Sequence, residues 1–124
     1  MFEQYNHHLY VLECTQGTTA DNGDYIPGTS VWTHWGKCRE ETNGKGEVIR
    51  TTDQEAYKFS SLVQLPAGTP RIAEGTRIVV SDEELDTEGM TKQDISDLQM
   101  SGIIRLSGNC HKFDSGRLHC RMWV

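Results

Sequence analysis

The end of the chain, "SGIIRLSGNCHKF" followed by "DSG" and "RLHCRMWV", alternates apolar and polar residues on both sides of a cluster of turn formers. Side chains on a strand point to opposite faces with period two, so this pattern predicts a β-hairpin. A three-residue loop, Asp114-Ser115-Gly116, with Gly116 left-handed after a type I turn, is the expected tip. That register sets Phe113 opposite Arg117, His111 opposite His119 and Cys110 opposite Cys120. Ile104, Leu106, Gly108, Cys110, Leu118, Cys120, Met122 and Val124 then share an apolar face. Arg105, Ser107, Asn109, His111, Arg117, His119, Arg121 and Trp123 share the other. A two-residue turn at Ser115-Gly116 would carry one strand's apolar residues to the wrong face, which excludes it.

The same punctuation runs through the rest of the chain. Strands are expected over His7–Cys14, Thr29–Glu40, Glu47–Thr51, Ala56–Leu65 and Arg77–Val80, separated by turn-rich segments such as "GTTADNGDYIPG" with its Asn22-Gly23 pair. In Thr29–Glu40 strict alternation places Trp32, His34 and Cys38 on one face and Val31, Thr33 and Trp35 on the other. One segment breaks the strand pattern. Ser81–Met100 is crowded with carboxylates and holds a single lysine. Thr91 and Asp94 stand at capping-box spacing, and Ile95 and Leu98 are three apart, so a mobile acidic insertion carrying a short helix is expected. Six to eight short strands with little helix make the fold all-β: one domain over residues 1–124, a small antiparallel β-barrel or sandwich with an inserted loop and helix at 81–100.

Composition narrows the function classes. The 124 residues carry 18 acidic and 12 basic side chains, a net charge of −6. Nucleic-acid affinity comes mostly from neutralising phosphates, so specific nucleic-acid recognition is not expected. No apolar run is long enough to span a membrane, and no basic-then-apolar leader opens the sequence. The four cysteines are expected as free thiols in a reducing cytosol.

Candidate chemistry is sparse. Adjacent Cys110-His111 and His119-Cys120 resemble a metal knot, but the pleat sends thiols and imidazoles to opposite faces, and the cysteines are expected in the core. His34 and Cys38 lie roughly 13 Å apart on an extended strand and meet only if Gly36 supplies a bend. His7-His8 reads as a solvated strand start. "ETNGKGE" lacks the spacing of a phosphate loop and reads as a turn with Lys45 in solvent. Glu83, Glu84, Asp86 and Glu88 lack the order of a dedicated calcium loop. No nucleophile–base–orienter set emerges. The expectation is a protein that is not an enzyme and takes no metal or cofactor.

The order of "NGDYIPGTSVWTHWGKCREE", "YKFSSLVQLP", "PRIAEGTRIVV" and the terminal "GRLHCRMWV" resembles bacteriophage head–tail connectors of the head-closure or head-completion type. There, a turn-rich segment precedes a Trp-bearing strand and a Gly-Thr-x-Val-x-Val-like segment follows late. Here the acidic insertion and the hairpin come after that segment, whereas in the family it lies near the C-terminus. The resemblance implies a structural virion protein, made in the bacterial host cytoplasm. Its homo-oligomeric ring would sit between a portal protein and tail-side connector proteins and line or gate the DNA exit channel. On this reading Arg105, Arg117, Arg121 and Trp123 form an interface, and Asp82, Glu83, Glu84, Asp86 and Glu88 a channel loop. The alternative is a stand-alone β-barrel module binding a peptide or sugar through its loops; a metal-dependent enzyme is the third reading.

Overall fold

The computed structural model describes residues 5–14, 17–26, 28–43, 48–50 and 56–124. Its strands are β1 (His7–Cys14), β2 (Thr18–Thr19), β3 (Tyr25–Ile26), β4 (Ser30–Thr42), β5 (Val48–Arg50), β6 (Ala56–Lys58), β7 (Ser61–Pro66) and β8 (Arg77–Ser81). One helix, α1 (Lys92–Met100), precedes β9 (Ile104–Asn109), β10 (Lys112–Ser115) and β11 (His119–Trp123). The all-β expectation holds. Of the predicted strand Glu47–Thr51, the two end residues lie outside the described residues, as does Lys45.

Seven strands form one sheet in the order β10-β11-β7-β4-β1-β8-β9, with every pairing antiparallel. The edge strands β9 and β10 are consecutive in the chain, so the sheet rolls over on itself. Its concave face collects Leu9, Val11, Cys38, Val63, Leu65, Ile78, Val80, Leu106, Phe113, Cys120 and Met122 into one core. No ladder joins β9 to β10 among the described residues, so the roll is not a closed barrel. Two small hairpins, β2–β3 and β5–β6, stand apart from the sheet.

The first hairpin turns where Asn22-Gly23 predicts it. Gly23 has φ 91°, its N–H donates to the Ala20 carbonyl at 2.9 Å, and the Asn22 side chain accepts from the Asp24 N–H at 3.0 Å. The expected strand Ala56–Leu65 is divided. Residues 56–58 pair with β5, the chain breaks at Phe59-Ser60, and Ser61 joins the main sheet. The Ser60 and Ser61 N–H groups there donate to the Val124 carbonyl at 2.7 and 3.2 Å.

The terminal hairpin exists with a different register. Lys112 pairs with Trp123, Phe113 with Met122, Asp114 with Arg121 and Ser115 with Cys120, leaving residues 116–119 as the loop. Gly116 is not left-handed. Glycine is needed there because a Cβ would sit 2.4 Å from the His119 carbonyl oxygen. The stretch before the hairpin is not one strand: β9 pairs with β8, and the chain turns at Cys110-His111 before β10 begins. The Cys110 N–H donates to the Thr76 carbonyl at 2.8 Å and the His111 N–H to the Trp123 carbonyl at 2.8 Å, one bond toward each end of the sheet. Cys110 and Cys120 are both buried free thiols as expected, but Phe113, which the expected register sets opposite Arg117 on the polar face, lies in the core. Leu118, expected inside, is 82% exposed.

A second apolar cluster lies on the convex face of β1, β8 and β9. Tyr10, Val79 and Ile104 pack there against Ile95 of α1, with Trp32, Leu85, Met90 and Leu98 around them. The Thr91 hydroxyl accepts from the Asp94 N–H, and the Asp94 carboxylate accepts from the Thr91 N–H at 2.9 Å, which completes the expected capping box. The acidic insertion is therefore docked on the sheet rather than projecting from it.

Candidate functional site

Two β-bulges decide where the polar groups point. Between Leu9 and Tyr10 the partner in β4 jumps from Gly36 to His34, so Trp35 is the extra residue. Gly36 has φ 146°, a conformation that L side chains rarely adopt. An extra residue reverses the inward–outward alternation beyond it. Trp35 at the bulge and Cys38 after it both face the main core, correcting the strict alternation expected for β4. His34 lies on the convex face, stacked on Tyr10 at 4.9 Å and 3.3 Å from His8. Gly36 thus separates His34 from Cys38 instead of joining them. Burial and the nearby Glu40 charge push the Cys38 thiol up to about 12.

The second bulge falls between Val80 and Ser81, whose partners in β9 are Leu106 and Ile104; Arg105 is the extra residue. The two bulges bring charges together at one end of the roll. Glu40, two residues past Cys38, turns inward, and its side chain is 3% exposed. One carboxylate oxygen accepts from Ser61 Oγ at 2.8 Å and Thr42 Oγ1 at 2.9 Å. The other accepts from Arg105 Nη2 at 3.1 Å and Nε at 3.3 Å. Arg105 Nη1 reaches Asp82 Oδ1 at 3.6 Å. His7 closes the set: its Nδ1 accepts from the Glu40 N–H at 3.1 Å, and its Nε2 faces Asp82 Oδ1 at 3.3 Å. His7 is buried, contrary to its reading as a solvated strand start.

The electrostatics follow from these contacts. Burial pushes the Glu40 carboxyl upward, but hydrogen bonds from Ser61, Thr42 and Arg105, with the guanidinium charge, outweigh it and hold Glu40 below its ordinary value. Burial and the Arg105 cation lower His7, against the opposing pull of Asp82 and Glu40. The neutral His7 tautomer with its proton on Nε2 satisfies both neighbours. Among the described residues no buried side-chain nitrogen or oxygen lacks a partner. This cluster ties β1, β4, β7, β9 and the start of the acidic segment into one unit. No group of three or more His, Cys, Asp or Glu side chains that could hold a metal ion converges among the described residues.

Of the proposed interface residues, only Arg121 and Trp123 are brought together. Arg105 is held by Glu40 and Asp82 at the polar cluster. Arg121 and Trp123 lie on the convex face of the other half-sheet. There Arg121 pairs with Asp114 at 3.6 Å, and both Arg121 and Lys112 lie over the Trp123 ring, at 5.9 and 5.5 Å. Arg117 is exposed in the hairpin loop. Of the proposed channel residues, Asp82 is anchored by His7 and Arg105, whereas Glu83, Glu84, Asp86 and Glu88 are exposed on the segment over the sheet. His111, expected on the polar face of the hairpin, stacks on Tyr57 at 3.9 Å. The sequence reading missed Glu40, Ser61 and His7; the inward turn of Glu40 depends on the bulge at Trp35, whose only marker is Gly36.

A groove of roughly 410 Å³ runs between the start of β4 and the acidic segment, with Val31, Trp32, Glu88 and Met90 in its walls. A second, of roughly 310 Å³, lies between β1 and residues 71–76. No helix among the described residues is long and apolar enough to cross a membrane. Comparisons of the chain with protein-family models, curated proteins and solved structures give no match.

Proposed function

We propose that the chain is a structural connector protein of the phage head-closure type, assembling as a homo-oligomeric ring between a portal and tail-side proteins. The observation that carries the reading is the presence of two unlike surfaces on the two halves of one sheet. The half built from β10, β11 and β7 presents Lys112, Arg121 and Trp123 on its convex face, with Arg117 at the hairpin tip. The other half presents Glu83, Glu84, Asp86 and Glu88 on the segment that covers it. A ring is built from heterologous contacts, in which one patch meets a different patch on the next copy, and opposite charge favours that pairing over like-to-like contact.

The carboxylate-rich segment also suits a channel wall. Like charge repels the DNA backbone, so the polymer slides past instead of sticking. The test is to mix the purified protein with a portal ring and image the product by electron microscopy. Added density capping the portal is expected. A portal left bare at high protein concentration overturns the reading, and a monomer that binds one peptide and never oligomerises favours a stand-alone binding module.

A further inference from the structure

The hairpin loop 116–119 and the groove beside Trp32 match in chemical character, each pairing apolar surface with charge of opposite sign. Leu118 is 82% exposed, so its own molecule supplies it with no pocket. It is flanked by exposed Arg117 and half-buried His119. The groove has Trp32 and Met90 in its walls, Val31 60% exposed at its edge, and the exposed carboxylate Glu88 among its lining residues. Glu84 and Asp86, also exposed, precede it on the same segment.

We infer that Leu118 of one copy seats in the Val31–Trp32–Met90 groove of the next, with Arg117 against Glu88. The occupant is a second copy of this chain because the chain itself carries the matching knob: an isolated apolar side chain beside a cation, facing an apolar cleft beside carboxylates. An apolar anchor in a desolvated pocket carries most of an interface's energy, while the flanking charge pair sets orientation. The contact joins two different patches, so it propagates head to tail. The inference deepens the ring reading and rests on it for its biological setting; the contact itself needs no portal.

The test uses the full chain, with sedimentation velocity from micromolar to about 1 mM. Wild-type protein is expected to self-associate as concentration rises. Leu118→Asp is expected to abolish the association. Arg117→Glu and Glu88→Arg alone each weaken it about tenfold, and the double variant Arg117→Glu/Glu88→Arg regains most of it. All the altered side chains are exposed, and circular dichroism confirms that each variant is folded. A wild-type protein monomeric throughout the range, or a Leu118→Asp variant that associates like wild type, overturns the inference. Portal binding measured in parallel separates the two claims. Self-association through this contact with no portal binding sinks the connector reading alone. A portal-bound ring indifferent to Leu118→Asp and to both charge reversals sinks this contact alone.

Discussion

The two halves of the sheet treat their convex faces differently. Over β1, β8 and β9 the face is covered: Ile95, Leu98, Leu85 and Met90 close an apolar layer on Tyr10, Val79 and Ile104. Over β10, β11 and β7 no such layer forms among the described residues, and Trp123 lies beside Lys112 and Arg121. The acidic segment, which composition alone marks as a solvated insertion, is the structural lid. The terminal hairpin, which alternation alone marks as an ordinary core element, leaves its convex face without such a layer among the described residues. Charge density in a segment therefore says little about whether it packs; a few apolar residues at the right spacing decide that.

Substitutions that break the covered half have the largest expected effects. Arg105→Met leaves Glu40 buried with hydroxyl donors and no cation, and is expected to cost about 3 kcal/mol by denaturant unfolding. Acid attacks the same cluster. Glu40 and His7 are both held below their ordinary values of 4.5 and 6.5, so the unfolded chain binds more protons and stability falls as pH falls. The His7 contribution is complete above pH 6.5 and is lost as pH drops through its lowered value. The Glu40 contribution follows below pH 4.5. Unfolding midpoints measured across this range should decline in wild type, and the part of the decline below pH 4.5 should shrink in Glu40→Gln. A midpoint that rises on acidification breaks the account of the cluster.

Smaller changes sharpen the contrast. Ile95→Ala opens the lid's apolar layer and should cost about 2 kcal/mol. Thr91→Ala removes the helix cap and should cost about 1 kcal/mol. On the uncovered half, Arg121→Ala removes an exposed pair with Asp114 and should change stability by less than about 0.5 kcal/mol. Equal losses for Ile95→Ala and Arg121→Ala would erase the distinction between the halves.

The residues that made the fold legible are local ones. Alternation located β1, β4, β8 and the two terminal segments, Asn22-Gly23 marked a turn, and Thr91 with Asp94 marked a helix start. What was not legible depends on partners far away in the chain. Segment 104–113 suits pairing with 117–124 on local pattern, yet β9 pairs with β8, far back in the chain, and only 112–115 pair with 120–123, so β9 and β10 separate at Cys110. Gly108 shows the outcome, since a Cβ there would lie 2.8 Å from Val124 Cγ1. Bulges are equally silent. Extra residues at Trp35 and Arg105 invert the alternation beyond them, which turns Glu40 inward and aims Arg105 at it. The polar cluster was missed because two residues of irregular pairing create it.

Hydrogen–deuterium exchange on the free protein and on the protein bound to a portal ring tests the central claim most directly. Amides of residues 116–118 and 87–89 are expected to exchange fast in the free chain and slowly in the ring, while α1 keeps the protection it already has. A portal-bound protein in which both segments exchange as they do in the free chain would contradict the account.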